Sequence, residues 1–278
     1  MRPATQAFFL PVGAGQRLCL FHPAQGPLRG CVLHLHGWGE ELNKSRRMVA
    51  RQARQLAQAG QAVLLLDLKG CGDSSGDWLD TTWQDWIDDA VAAAGWLLAR
   101  HDAPLTLWGH RSGALLASAV ARHLPAQVSR LLLWQPVLQG KLQLTQFLRL
   151  RAAADMAHTD SKTTMQRLRS ALQDGQAIDV AGYQLGAGLA RGLEAATLDR
   201  PPAGTEVLWL EVSSQADPAL APASAALAQA WVEAGCQLQA RALAGPAFWQ
   251  TQEIEDADLL LQATLDLMRL PAADTAPA

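Results

Sequence analysis

The sequence predicts an α/β protein built on a mostly parallel, twisted sheet with helices on both faces and a helical insertion. Three observations carry this reading. Apolar runs of strand length alternate with helical stretches through the first half of the chain. The alternation lapses between Leu138 and about Arg200, where the composition turns to Ala, Leu, Gln and Arg, and then resumes. At 278 residues, the length suits one large α/β domain with an insertion, or two small domains.

Gln6 to Leu10 and Gln16 to Phe21 read as an opening hairpin around Gly13 to Gly15. Cys31 to Leu35 is a buried strand that ends in His36-Gly37-Trp38-Gly39. Lys44 to Ala59 has helical periodicity and stops at Gly60. Ala62 to Leu66 is the next strand, closed by Asp67 and a turn-rich run from Gly70 to Gly76. Thr82 to Arg100 is a helix with a threonine cap, carrying Trp83, Trp86 and Trp96. A strand from Leu105, a helix from Ser112 to His123 and a strand from Val128 to Trp134 follow. After the helical middle stretch, interrupted at Gly182 and Gly186, come the strand Glu206 to Val212 and the helix Ala221 to Ala234. The strand Gln237 to Ala242 and the helix Glu255 to Arg269 complete the order. The expected layout is therefore a core of residues 1–137 and 201–270, a cap of residues 138–200, and a disordered tail over 271–278. No internal repeat is evident.

The composition is 49% hydrophobic and 18% charged, as a well-packed core requires, and it excludes a disordered chain. A net charge of -3 gives no electrostatic reason to expect nucleic acid or an anionic membrane as a partner. The four cysteines, Cys19, Cys31, Cys71 and Cys236, are scattered, which suggests neither a zinc site nor a disulfide framework. Cys19 and Cys31 fall in strands, where a thiol acts as a small buried hydrophobe. No h-region of a secretory signal follows Met1, and no apolar run approaches the roughly 20 residues of a membrane span. The expected setting is a reducing, cytoplasmic one.

The segment Leu105 to Leu115 reads as a short apolar strand, a sharp glycine-flanked turn and a helix. That is the layout of the Gly-x-Ser-x-Gly nucleophile elbow of the α/β-hydrolase fold. With Gly109 and Gly113 as the two glycines, the middle residue is Arg111, and Ser112 stands one place late. A guanidinium cannot attack a carbonyl. The elbow backbone holds its residue at positive φ, which costs a non-glycine residue about 1 kcal/mol or more.

The remaining parts of a Ser-His-Asp site are unevenly represented. The Trp38 N–H, beside the N–H of Ser112 at a helix N-terminus, would form an oxyanion hole; the glycines around Trp38 equally suit a plain turn. Asp217, after the strand Glu206 to Val212, stands where this fold presents its triad acid, or else caps the next helix. The histidine is missing from Leu243 to Trp249, and none occurs beyond His158. Without an imidazole to take the proton, a serine hydroxyl is a poor nucleophile near neutral pH. Ser112 is a weak candidate, because the one-residue slip turns its side chain into the helix's first turn. His158, three residues after Asp155, most simply forms an exposed pair with it; a metal site is the lesser reading. His110 is expected to pack beside the elbow and His34 to be a hydrogen-bonded core residue.

Two roles compete for Arg111. Either it is locked to Asp217 or Glu40 and plugs a dead pocket, or it faces the cavity and holds a carboxylate or phosphate. The plug is the simpler, since a buried guanidinium without a partner is very costly. Of the ten tryptophans, Trp38, Trp108, Trp134 and Trp249 fall near C-terminal strand ends, as cavity lining or as core.

Several stretches carry a family resemblance: Glu40 to Met48, Asp67 to Ser74, Leu107 to Leu116, Leu133 to Val137, Gly140-Lys141, Gln146 to Leu150, and Gly245 to Gln250. The chain resembles the exosortase A system-associated hydrolases, of the second type, over about residues 30 to 270. The resemblance implies that arginine at the elbow is a family trait. It also implies a bacterial cytoplasmic protein encoded beside machinery for exopolysaccharide synthesis and for sorting proteins with a C-terminal PEP signal. The segment His36 to Gly39 departs from the family pattern of prolines and Phe-Ala.

The resulting expectation is a catalytically degenerate member that binds a small anionic or acyl ligand, or a protein partner of the exopolysaccharide and exosortase system. The ligand-binding residues would be Trp38, Glu40, Arg111, Ser112, Asp217 and Trp249, with no cofactor and no metal ion. The alternatives are an ester, thioester or amide hydrolase with a non-standard site, for which Ser112 and Asp217 are the catalytic candidates, and a purely structural scaffold.

Overall fold

A computed structural model of the chain describes residues 4–154 and 160–269. In chain order the elements begin with β1 (Gln6–Val12), β2 (Gly15–His22), β3 (Gly30–Leu35), α1 (Glu40–Gln58) and β4 (Gln61–Leu66). After a 3-10 turn at Trp78–Asp80 come α2 (Trp83–Leu98), β5 (Leu105–His110), α3 (Gly113–His123) and β6 (Val128–Trp134). The inserted stretch holds α4 (Gly140–Ala154), α5 (Ser161–Gln173), β7 (Ile178–Val180), β8 (Tyr183–Leu185) and α6 (Ala187–Ala195). The chain then returns through β9 (Glu206–Ser213), α7 (Pro222–Glu233), β10 (Leu238–Ala244) and α8 (Asp258–Arg269).

Eight strands form one sheet in the order β1-β2-β4-β3-β5-β6-β9-β10. The opening hairpin is antiparallel and joins β4 antiparallel; every pairing from β4 to β10 is parallel. The interior strands β3 and β5 are buried along their whole length, as strands covered on both faces must be. One face of the sheet, with Leu33, Leu107 and Leu131, packs on α2 and α3. The other, with Val32, Trp108, Leu132 and Leu208, is covered by α1 and α8. Trp134 ties α8 to this second layer by donating its Nε1–H to Thr264 at 2.9 Å. Burial of each such leucine contributes about 1.5–3 kcal/mol.

Helix α1 begins at Glu40, earlier than its periodicity from Lys44 suggests. Gly39 takes the N-cap position, and Glu40 and Glu41 lie in the first turn, where the helix dipole favours carboxylates. The expected threonine start of α2 is a full capping box: Thr82 Oγ1 accepts from the Asp85 N–H, and Asp85 accepts from the Thr82 N–H.

The middle stretch is not helical throughout. Gly182 and Gly186 do not merely interrupt a helix. Ala181 and Gly182, at φ 53° and 85°, form the turn of the β7–β8 hairpin, and Gly186 caps α6. The two ends of the stretch are bonded side by side. Leu198 N–H donates to the Leu138 carbonyl and Gly140 N–H to that of Ala196, around an isolated Gln139–Thr197 bridge. The tail over 271–278 lies outside the described residues.

The elbow depends on its glycines. A Cβ at Gly109 would stand 2.5 Å from the Ala114 Cα, and one at Gly113 only 2.1 Å from the Leu35 carbonyl oxygen. Helix α3 can therefore start where it does only with bare backbone at both positions. Gly113→Ala should lower stability by about 1–3 kcal/mol or more, as overpacking against fixed backbone does. The expected result is a fall of several degrees in Tm, and an unchanged melting curve would contradict this packing.

Candidate functional site

The site forms where the C-terminal ends of β3, β5 and β6 meet the inserted stretch. Arg111 sits on the elbow at φ 56°, the strained left-handed conformation that the motif calls for. The end of β6 and the loop after it hold it there: the Arg111 N–H donates to the Trp134 carbonyl, and the Arg111 carbonyl accepts from the Val137 N–H. Next to it Gln135, itself at φ 43°, accepts from the Val212 N–H through its side chain.

The side chain of Arg111 turns to α1. Its Nε–H donates to Glu41 Oε1 at 3.0 Å, and its Nη1 reaches the Gln135 carbonyl at 3.4 Å. The guanidinium also lies 5.3 Å from the ring centre of Trp249, a cation–π contact. Neither Asp217 nor Glu40, the two partners suggested by the sequence, is bonded to it. Helix periodicity explains the choice. Glu41 continues inward with Ser45, Met48 and Gln52, all buried, whereas Glu40 falls on the outer side with Asn43 and Arg47. That spacing was the signal that could have singled out Glu41.

The other oxygen of Glu41 occupies the expected oxyanion hole. Oε2 accepts from the Trp38 N–H at 3.3 Å and from Gln143 Nε2, on α4, also at 3.3 Å. Gly37 makes room for it, since a Cβ there would lie 3.0 Å from the Glu41 Cβ. The second expected donor, the Ser112 N–H, has no protein acceptor among the described residues. An internal carboxylate, held by a cation, a backbone N–H and a side-chain amide, thus rests on the donor that the sequence offers for an oxyanion hole.

Around this pair opens a cleft of about 290 Å³ walled by Trp38, Phe147, Tyr183 and Trp249, with Lys44 and Gln146 at its polar side. Glu40 joins its rim by accepting from the Tyr183 hydroxyl at 2.6 Å; burial and this carboxylate push the phenol pKa well up. Gly39, at φ 56°, lets Phe147, Trp78 and Tyr183 close over the turn. Trp38 and Trp249 line the cleft, whereas Trp108 and Trp134 are wholly buried core, so the tryptophans divide between the two readings.

The other expected residues lie elsewhere. Asp217 is exposed and does not cap α7; the N–H of the helix's N-cap residue, Ala221, is taken by the buried Glu211. Sequence reasoning passed over Glu211, although it follows Trp209 at the two-residue spacing of one strand face and accepts from that indole. Ser112 is the N-cap of α3 with helical φ, is 2% exposed, and is not part of the cleft wall. Trp249 stands over Arg111 on the loop where a triad histidine belongs. His110 packs beside the elbow as expected, stacked on Phe248. His34 is buried, but its Nε2 has no hydrogen-bond partner, contrary to the expected bonded histidine. His158 and Asp155 fall outside the described residues. Among the described residues, no cluster of three or more His, Cys, Asp or Glu could hold a metal ion. Likewise, no described helix is long and apolar enough to cross a membrane.

Residues 26–181, more than half of the chain, match the family described as Serine aminopeptidase, S33. The chain belongs to this family. Among solved structures it is similar to Est1E from Butyrivibrio proteoclasticus with ferulic acid bound, at a TM-score of 0.66 and 17% identity, covering 96% of this chain and 100% of that one. It is also similar to a highly thermostable carboxyl esterase from Bacillus coagulans in complex with glycerol (TM-score 0.64, 15% identity, 96% and 98% covered). A third is the α/β hydrolase GrgF from Penicillium sp. sh18 (TM-score 0.62, 14% identity, 98% and 100% covered). At such identities the likeness establishes the α/β-hydrolase fold. No protein of curated function matches the chain.

Two expectations follow. Arg111→Ser places a hydroxyl on the elbow but no histidine on the loop that should supply the base, so no efficient hydrolysis of an activated ester and no burst should be seen; a burst would show that another group takes the proton. Separately, burial pushes the pKa values of His22, His34, His36 and His110 below the ordinary range. The unfolded chain takes up protons on these rings as pH falls through about 6.5, and the folded chain does so only at lower pH. Their contribution is therefore complete above that pH and lost below it. Tm should decline between pH 7.5 and 5, and a flat profile would contradict neutral burial.

Proposed function

We propose that the cleft binds a carboxylate-bearing or acyl ligand and does not hydrolyse it. The observation that carries this reading is the Glu41 carboxylate on the Trp38 N–H, bridged to an arginine in the nucleophile's place. A ligand carboxylate that displaces Glu41 would inherit its donors, Arg111, the Trp38 N–H and Gln143. Arginine suits such an exchange, because it stays charged and its planar fork matches a carboxylate. The aromatic walls would take an alkyl or aromatic body. The triad's other members are unfilled: Trp249 stands on the base's loop, and Asp217 is in solvent. The resemblance to exosortase A system-associated hydrolases supports a cytoplasmic ligand or protein partner linked to exopolysaccharide synthesis and PEP-signal sorting.

A second reading, an ester, thioester or amide hydrolase with a non-standard site, draws on the intact elbow conformation and the free Ser112 N–H. A serine-reactive fluorophosphonate probe distinguishes the two, because labelling lost in Ser112→Ala would establish hydrolysis.

Binding is tested by calorimetry with octanoate and with ferulate. Glu41→Gln should tighten binding by about tenfold, since the competing internal carboxylate loses its charge. Arg111→Ala should weaken it by a similar factor or more. Equal affinities for wild type and both variants would sink the proposal.

A further inference from the structure

Beneath α1, a second cavity of about 130 Å³ lies between that helix and strands β2, β3 and β4. It shares no wall residue with the cleft. Its outer part is apolar and half-buried, formed by Leu18, Leu20, Leu42 and Leu65. Its inner end is polar and sealed: Ser45 is 2% exposed, His34 4% and His110 0%.

Four atoms of these three residues are buried and lack partners: His34 Nε2, Ser45 Oγ and both ring nitrogens of His110. The neighbouring His36 is satisfied, with Nδ1 bonded to the Gly37 carbonyl at 2.8 Å and Nε2 accepting from the Leu68 N–H at 3.4 Å. Each buried polar atom left unpaired costs about 1–3 kcal/mol, and native proteins rarely leave several in one place. Something is therefore expected to meet them.

The chemistry of that occupant can be narrowed. Burial pushes the pKa values of His34 and His110 well down, so both rings are neutral, each offering one donor and one acceptor. Arg46, at the rim, is held by two hydrogen bonds to Asp67, at 3.3 and 3.1 Å. An anionic head would enter a site with no uncommitted cation. A hydroxyl both donates and accepts, and carries no charge. Water alone would satisfy the inner atoms but leave the leucine walls wet, at the cost of their hydrophobic burial. Apolar cavities of about 150 Å³ take a molecule the size of benzene, which sets the scale.

We propose that this crevice is a binding site for a small neutral amphiphile. A hydroxyl head meets His34, Ser45 and His110, and an alkyl chain of about four to six carbons lies along the leucines toward α1's outer edge. The site is independent of the cleft and of any reading of it.

The test uses the full chain, labelled with 15N, and 1-pentanol as the probe, followed through the ring nitrogens of its histidines. The His34 and His110 signals should shift saturably, with pentanoate binding about tenfold more weakly or worse. Ala50→Trp, which blocks the half-buried rim, should abolish the response while the far-ultraviolet circular dichroism stays native. If that variant does not fold, Leu42→Trp serves the same purpose. Three results would overturn the proposal: no saturable shift up to the solubility limit, equal affinity for pentanoate, or a response that survives the rim block.

Discussion

The contact between Arg111 and Glu41 joins the elbow to the first helix, and the architecture of the site is arranged around it. The strained turn puts the guanidinium at the head of α3, and α1 begins early enough to bring Glu41 beneath it. Both side chains are largely shielded, at 15% and 17% exposure, so neither charge can be left alone without a substantial penalty. Any ligand of the pocket would therefore have to contend with this pair. An incoming anion must offer Arg111 at least what Glu41 already offers. A neutral carbonyl must compete with a carboxylate for the Trp38 N–H.

The backbone of a nucleophile elbow is kept here with a different side chain standing on it. The elbow conformation and the glycines that permit it are both present. The nucleophile is exchanged for a cation, and an indole stands over it from the loop that ought to supply the base. The Trp38 N–H and the Arg111 guanidinium are both met by the protein's own Glu41. The family and the fold are those of hydrolases, and fold alone does not decide chemistry.

Much of the framework was legible in the sequence because strong local signals agreed with one another. The strand Val128–Trp134 and the Thr82 cap emerge as read, and the elbow turn follows from its two glycines. The hairpin at Gly182 was not legible, since three-residue strands lack a period long enough to see. The true partner of Arg111 was missed by one residue. Two adjacent glutamates look alike in composition, and only the helical phase set by Ser45, Met48 and Gln52 separates them. Asp217 was placed by analogy of order, and a loop's position after a strand does not fix where its side chains go. The unpaired atoms of His34 and His110 depend on how α1 seats over three strands, which no local pattern records.

The bonded junction at Gln139 and Thr197 has a consequence for how this chain can vary. Because the outgoing and returning backbones are laced together at the root, β6 and β9 meet as neighbours whatever the length of the excursion between them. Lengthening such an excursion adds only a slowly growing, logarithmic entropy term. The stretch above the lacing can thus be trimmed, extended or exchanged while the sheet beneath stays in register. Since that stretch supplies Gln143, Phe147 and Tyr183 to the pocket, the lining can change there without disturbing the foundations.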